Sequence, residues 1–412
     1  VMIASKPFSE LLTTMLDKPA FSWRSNERLS IREDCIKLLA ERAEISGLQL
    51  AARIVAEYDG LDQEERLAFF EFLNEDLDID PNLVATLAET YRDAPTPQNY
   101  SALASASEPA RQRLFRRLNE APGATAGIVR MRRDLLGFMK DHPHLARTDH
   151  DVLHLLRSWF NRGFLVLQQV NWESPATILE KIIAYEAVHE IQNWDDLRRR
   201  LQPEDRRCFA FFHPSMPTEP LIFVEVALTK GVPTSIQTLL SDIGETTTQT
   251  DANTAVFYSI SNCQAGLAGV SFGNSLIKQV ARDLSRDLPN LKTFVTLSPI
   301  PGFVKWMDAE GLSGNAISST QLEKLAAKYL LKAKDGKGQP RDPVARFHLG
   351  NGAQVHALHC NADTSTRGQN QSRGVMVNYL YDLNRISQRA TQFSRNNTVA
   401  AASDIKAMAR RA

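Results

Sequence analysis

Ser298 ends an apolar run, Thr296-Leu297-Ser298-Pro299-Ile300-Pro301-Gly302-Phe303, and His348 lies 50 positions further on (348 − 298) inside the apolar stretch from Pro343 to Ala353. A hydroxyl and an imidazole with apolar neighbours each need a partner or a function. Together they suit proton transfer: the imidazole gives or takes the proton, and the hydroxyl binds a carbonyl or carboxylate oxygen. His213 is the other histidine that stays open as a partner for such a hydroxyl, the remaining ones having blander explanations. Pro299 and Pro301 fix the backbone beside Ser298 and remove two N–H donors, so its hydroxyl is held in place. The serine is not set in G-x-S-x-G, which argues against a hydrolase nucleophile. A serine there serves equally to cap the strand or the following turn.

A second candidate begins 28 positions before Thr296 (296 − 268), at Ala268-Gly269-Val270-Ser271-Phe272-Gly273-Asn274. Small residues at alternate positions allow close backbone approach and lead directly into a helical pattern. Free N–H groups and the positive end of the helix dipole would then converge on one point, as the pyrophosphate of a nucleotide or of coenzyme A requires. The same spacing also serves plain tight turns. A Rossmann site is disfavoured because no acidic residue follows about twenty positions on at the end of a second strand, Asp287 falling within the helix pattern. No G-x-x-x-x-G-K-[ST] string occurs.

Other chemistry finds less support. Among nine histidines, His142, His144, His150 and His154 surround a proline break, and His150 and His154 lack the glutamate of H-E-x-x-H. Glu186 and His189 form one E-x-x-H where a di-iron bundle needs two. No metal site is expected. Cys35, Cys208, Cys263 and Cys360 form no C-x-x-C pair, so reduced thiols and a cytoplasmic location are expected. Equal numbers of acidic and basic residues, 48 each, argue against nucleic acid as a partner. No apolar run approaches the ~20 residues of a membrane span.

The elements that must position these residues fall into two regions. From Ser9 to about His189 apolar residues recur at three and four, with Ile36, Leu38, Leu39 and Ala43, then Leu67, Phe69, Phe70 and Phe72. Asp80-Pro81, Ala94-Pro95-Thr96-Pro97, Ala121-Pro122-Gly123 and His142-Pro143 interrupt this helical pattern. After Trp194 the texture becomes strand-like. Arg207 to His213 and Leu221 to Leu228 predict two strands joined by a turn, and Ala255 to Ser261 a third. A helix over Asn274 to Leu288, a strand over Leu291 to Leu297 and a short helix from Phe303 follow. A loop over Lys332 to Asp342 precedes a strand over Arg346 to His359 and a last amphipathic helix from Val375 to about Phe393.

Seven blocks carry a resemblance: EAVHEIQNWDDLRRRL from Glu186, FFHPSMPTEPLIFVEVALT from Phe211, FYSIS from Phe257, GLAGVSFGNSLIKQV from Gly266, TLSPIPGF from Thr296, ARFHLGNGA from Ala345 and SRGVMVNYLY from Ser372. In this order they closely resemble malonyl-CoA decarboxylase of the bacterial type. The resemblance implies an α+β chain, with an all-helical bundle over 1–193 for oligomerisation and a GNAT-like mixed α/β catalytic domain over 194–412. It implies Ser298 and His348 as the catalytic pair and Ala268 to Asn274 as the coenzyme A turn. Ser259 and Tyr381 match polar positions beside the acyl group. The implied reaction converts malonyl-CoA to acetyl-CoA and carbon dioxide, with coenzyme A entering only as part of the substrate and no further cofactor. A homo-oligomer is implied. Ser271 replaces an acidic residue of the animal relatives, and the 50-position separation of Ser298 and His348 is shorter than theirs. An ordinary GNAT acyl-CoA transferase, and an interaction scaffold with a vestigial catalytic domain, are the competing readings.

Overall fold

The computed structural model of the protein describes residues 30–241, 247–312 and 317–412, and the expected helical stretch from Ser9 to Leu29 lies outside them. The chain divides into two compact units, one running to Leu165 with His213–Pro217 and Gln264–Val270, the other comprising Val166–Phe212, Thr218–Cys263 and Ser271–Ala412.

The first unit is helical: α1 Ile31–Ala40, α2 Glu44–Gly60, α3 Gln63–Glu75, α4 Pro81–Asp93, α5 Pro97–Ala106, α6 Ala110–Asn119, α7 Ala124–Phe138 and α8 Ala146–Trp159. Caps set several starts. Ser30 and Asp62 form capping boxes with Glu33 and Glu65, and Asp80-Pro81 and Thr96-Pro97 each pair an N-cap side chain with a proline at the first helical position. The breaks expected at Asp80-Pro81 and Thr96-Pro97 are therefore helix starts. Tyr58, Phe69 and Phe70 pack ring against ring in the core at 5.3–5.9 Å. Buried Arg132 donates from Nη1 to the carbonyls of Gly266 and Ala268, both at 2.7 Å, and from Nε to Asp149 at 2.8 Å. This charge-assisted fork fixes the segment before the glycine turn. Gly266 is required there, since an added Cβ would lie 1.9 Å from the Val129 carbonyl oxygen.

The second unit is built on an eight-stranded mixed sheet. Its elements are β1 Val166–Val170, α9 Ala176–Tyr185, α10 Trp194–Leu201, β2 Arg206–Phe212, β3 Ile222–Thr229, α11 Ile236–Leu240, β4 Thr254–Asn262, α12 Gly273–Asp287, β5 Thr293–Thr296, β6 Ser298–Pro299, α13 Phe303–Ala309, α14 Ser319–Lys332, α15 Pro343–Gly350, β7 Gln354–His359, α16 Thr366–Ser372, β8 Met376–Leu380, α17 Ile386–Asn396 and α18 Ser403–Arg410. The order is β1-β2-β3-β4-β5-β8-β6, with β7 also on β8. Among the described strands only β4 and β5 pair in parallel, joined through α12; the remaining strand pairs are antiparallel. This is the mixed α/β arrangement expected of the catalytic part. A bulge leaves Tyr258 unpaired, Glu225 facing Ser259 and Val226 facing Phe257.

Three local expectations need correction. Val166–Val170, read as helical, is a strand on β2, because Val166-Leu167-Gln168-Gln169-Val170 finds a hydrogen-bonding edge that a local pattern cannot reveal. Strand was expected across Arg346 to His359, yet Pro343–Gly350 is helical: Asp342 caps it by accepting from Ala345 N at 2.8 Å, with Pro343 at the first position. Only Gln354–His359 is strand. The helix expected from Val375 starts instead at Ile386, and Met376–Leu380 is a buried strand between β5, β6 and β7.

Gly352 turns the chain from α15 into β7 at φ +85°, where an added Cβ would meet the Ile386 carbonyl oxygen at 2.1 Å. Gly352→Ala is expected to destabilise the protein by about 2–4 kcal/mol, from left-handed strain plus overpacking, seen as a lowered denaturation midpoint. An unchanged midpoint would show that this turn relaxes freely.

Candidate active site

Ser298 is placed where its chain leaves β4 and stays paired with β8. β4 and β5 pair from Thr254↔Thr293 to Phe257↔Thr296, and Leu297 N still donates to Phe257 O at 3.1 Å. On its other side this chain pairs with β8, Val295 facing Leu380, Ser298 facing Val377 and Pro299 facing Met376. β4 continues to Asn262 without β5 beside it. The parting opens a cavity of about 240 Å³, lined by Tyr258, Ile260 and Asn262 of β4, by Ser298, and by Phe347 and His348 of α15. That is below the ~300–1,000 Å³ of sites enclosing a whole drug-sized ligand, and suits the acyl end of a longer molecule.

His348 occupies the last turn of α15 and is almost wholly buried. Its Nε2 lies 3.2 Å from Ser298 Oγ and its Nδ1 2.7 Å from the Tyr381 hydroxyl. Tyr379 stacks on the ring with centroids 4.5 Å apart and planes 22° apart. The hydrogen bonds decide the tautomer. Ser298 donates its one proton to Thr296 Oγ1 at 2.8 Å, so towards His348 it acts as acceptor, which places the imidazole proton on Nε2. Nδ1 then accepts from Tyr381, whose pKa burial drives well above the ordinary value, keeping that proton in place. Burial pushes the pKa of His348 from 6.5 down to about 3, so the imidazole is neutral.

Thr296 and Asn378 were not singled out in the sequence. Thr296 Oγ1 also accepts from Tyr379 N at 3.1 Å, and Asn378 Nδ2 donates to Thr296 O at 2.7 Å. A T-x-S spacing was the available signal, because positions i and i+2 of an extended chain share a face. Ser259 is engaged elsewhere: its Oγ donates to the Glu186 carboxylate at 2.8 and 2.6 Å. Glu186 Oε1 also accepts from Val188 N and His189 N at 2.8 and 2.7 Å, and Ser261 Oγ accepts from Ala187 N at 3.1 Å. These bonds clamp the 186–189 loop onto β4, and Val188 of that loop lines the cavity.

The glycine turn has two halves. Ala268, Gly269 and Val270 belong to the first unit, where Arg157 donates to Gly269 O at 3.3 Å and Gly269 has φ +83°. Ser271 and Phe272 belong to the second unit and lead into α12, whose first residues are Gly273 and Asn274; the Asn274 side chain lies outside the described set.

Between about pH 6.5 and pH 3 the unfolded chain takes up a proton at His348 that the folded chain refuses, so this group lowers stability as pH falls through that window. Nitrogen NMR of the ring is expected to show the neutral Nε2–H tautomer unchanged from pH 5 to 8. Titration near the ordinary value would show a wet pocket.

The comparisons agree with this architecture. The family model described as malonyl-CoA decarboxylase C-terminal domain matches residues 163–321 and 312–412, and that described as its N-terminal domain matches 78–160. The mitochondrial malonyl-CoA decarboxylase of Anser anser anser is 38% identical over 321 residues, 66% of this chain and 63% of its own length, so the chain matches under two thirds of that relative. Crystal structures of malonyl-CoA decarboxylase from Rhodopseudomonas palustris and Agrobacterium vitis are 46% and 44% identical, with TM-scores of 0.85 and 0.87. Each match covers 92% of this chain, and 98% and 99% of the respective structure. On these matches to both of its regions, the chain belongs to the malonyl-CoA decarboxylase family.

Proposed function

We propose that the protein converts malonyl-CoA to acetyl-CoA and carbon dioxide, with His348 as proton donor and Ser298 as its hydrogen-bonding partner. The observation that supports this best is the buried array Thr296–Ser298–His348–Tyr381 at the edge of an acyl-sized cavity. The coenzyme A portion of the substrate is assigned to the Ala268–Asn274 turn; Ala268 N and Val270 N are bonded to Ala265 O and Leu267 O, so the helix end at the start of α12 is the part that suits a pyrophosphate. The reaction breaks the bond between the α-carbon and the carboxylate. Its electron pair forms an enolate whose charge rests on the thioester oxygen, and one proton is then added to the α-carbon.

A neutral imidazole is a poor source of that proton, and the substrate resolves the difficulty. The malonyl carboxylate, brought into the same dry pocket, favours the charged ring and draws one proton onto His348. When the carboxylate leaves as neutral carbon dioxide that counter-charge disappears. An imidazolium whose environment favours neutrality so strongly is then a good acid, and its proton passes to the α-carbon directly or through Ser298. Tyr381 fixes the ring. Ser259 acts at one remove, holding Glu186 and thereby the loop that carries Val188. The chemistry requires no group beyond the chain and its substrate.

Carbon dioxide release from malonyl-CoA alone, without an acceptor, distinguishes this reaction from acyl transfer. His348→Asn is expected to lower kcat by about 10²- to 10⁴-fold with KM little changed. Equal activity would remove His348 as the donor. Ser298→Ala is expected to retain slow decarboxylation, whereas complete loss would favour covalent acylation of the serine.

The expected homo-oligomer also belongs to this reading. Neither α4 nor α5 contains a buried residue, and Leu83 and Tyr100 are 49% and 61% exposed. A helical hairpin with so little packed surface gains stability from a second copy. Light scattering after size exclusion is expected to give a multiple of the chain mass, reduced by Leu83→Glu. A monomer at micromolar concentration would exclude it. Four free cysteines fit the cytoplasmic placement.

A further inference from the structure

Outside the site just described, the first unit brings three metal-capable side chains to one point. Glu71 lies in the last turns of α3, and His142 and His144 flank Pro143 in the connection between α7 and α8. One ligand atom from each residue lies within 4.8 Å of the other two. His144 Nε2 is 2.8 Å from both carboxylate oxygens of Glu71, and His142 Nδ1 is 3.8 Å from Oε1. The two imidazoles meet edge to face, centroids 5.9 Å apart.

We propose that Glu71, His142 and His144 form a binding site for a borderline divalent cation, Zn²⁺ above all. Two imidazoles and one carboxylate are a donor set for that class, and leave a position for water. An ion with bonds of about 2.0–2.2 Å in tetrahedral geometry separates its ligand atoms by about 3.3–3.6 Å. The observed 2.8 and 3.8 Å bracket that spacing, so small rotations of the side chains suffice. A single His–Glu hydrogen bond would account for His144 but not for the second imidazole turned toward the same carboxylate.

The ligands are carried on fixed backbone. Phe70 and Phe72, on either side of Glu71, are buried, and Phe70 packs on Phe138 with centroids 6.1 Å apart. His142 N donates to Phe138 O at 2.9 Å, Pro143 restricts the intervening backbone, and the next residue after His144, Leu145, is fully buried. The three side chains themselves are 28–47% exposed, which gives the ion a path from solvent. Bound there, it would tie α3 to the α7–α8 connection and stabilise the helical unit in proportion to occupancy. Sequence spacing hid the site because Glu71 stands 71 positions before His142 (142 − 71) on another helix.

The test uses tag-free full-length protein treated with chelator and then titrated with Co²⁺ and Zn²⁺. One Co²⁺ per chain with the intense visible absorption of low-coordinate cobalt, displaced by Zn²⁺, together with a Tm raised by a few degrees, is the expected result. His142→Ala and His144→Ala should each weaken binding by at least tenfold, as should Glu71→Gln, while His150→Ala should leave it unchanged. All four positions can be changed without opening the core, and circular dichroism of each variant checks its fold. Failure to bind cobalt at stoichiometric concentration, an octahedral spectrum alone, or binding that survives His142→Ala with His144→Ala would overturn the proposal.

Discussion

The parting of β4 and β5 is the constraint around which the candidate site is arranged. Four residue pairs hold the strands parallel, from Thr254↔Thr293 to Phe257↔Thr296; then β4 runs on while the other chain parts from it and stays with β8. Two neighbouring features favour the parting. Pro299 and Pro301 cannot donate to a ladder, and the bulge at Tyr258 already bends β4. An unpaired stretch of strand inside a protein is costly unless something else meets its polar groups, and here the separation becomes a cavity. Ser298 lies at its edge because it follows Leu297, the last residue of that chain bonded to β4.

The burial that shapes this cavity also sets its electrostatics. His348 has no ionised neighbour strong enough to offset desolvation, so the ring stays neutral and its geometry is governed by hydrogen bonds. Tyr381 supplies one of them, Ser298 the other, and Thr296 absorbs the serine proton. Each is a modest interaction alone. In a buried site they constrain one another, since any rearrangement leaves a buried donor or acceptor unmet. The same logic operates at the Glu186 carboxylate, where serine hydroxyls and backbone N–H groups converge to hold a cavity-lining loop. Similarly, Arg132 uses its fixed fork on two carbonyls to seat the segment before the glycine turn.

The sequence determined much of this. Helix boundaries were legible at Asp80-Pro81 and Thr96-Pro97, which the structure makes helix starts, because caps and proline act within a few residues. Strands β2, β3 and β4 and helix α12 could be read from local patterning, and Ser298 and His348 were conspicuous as polar groups among apolar neighbours. The seven separated blocks identified the family. Tertiary structure decided the rest: β1 needed the edge of β2, β8 needed three neighbouring strands, and α15 was hidden by apolar residues that suit either helix or strand. It also decided chemical state. No local string shows that His348 is buried, that Thr296 takes the Ser298 proton, or that Glu186 captures Ser259, because hydrogen bonding and desolvation depend on residues that meet only after the chain has folded.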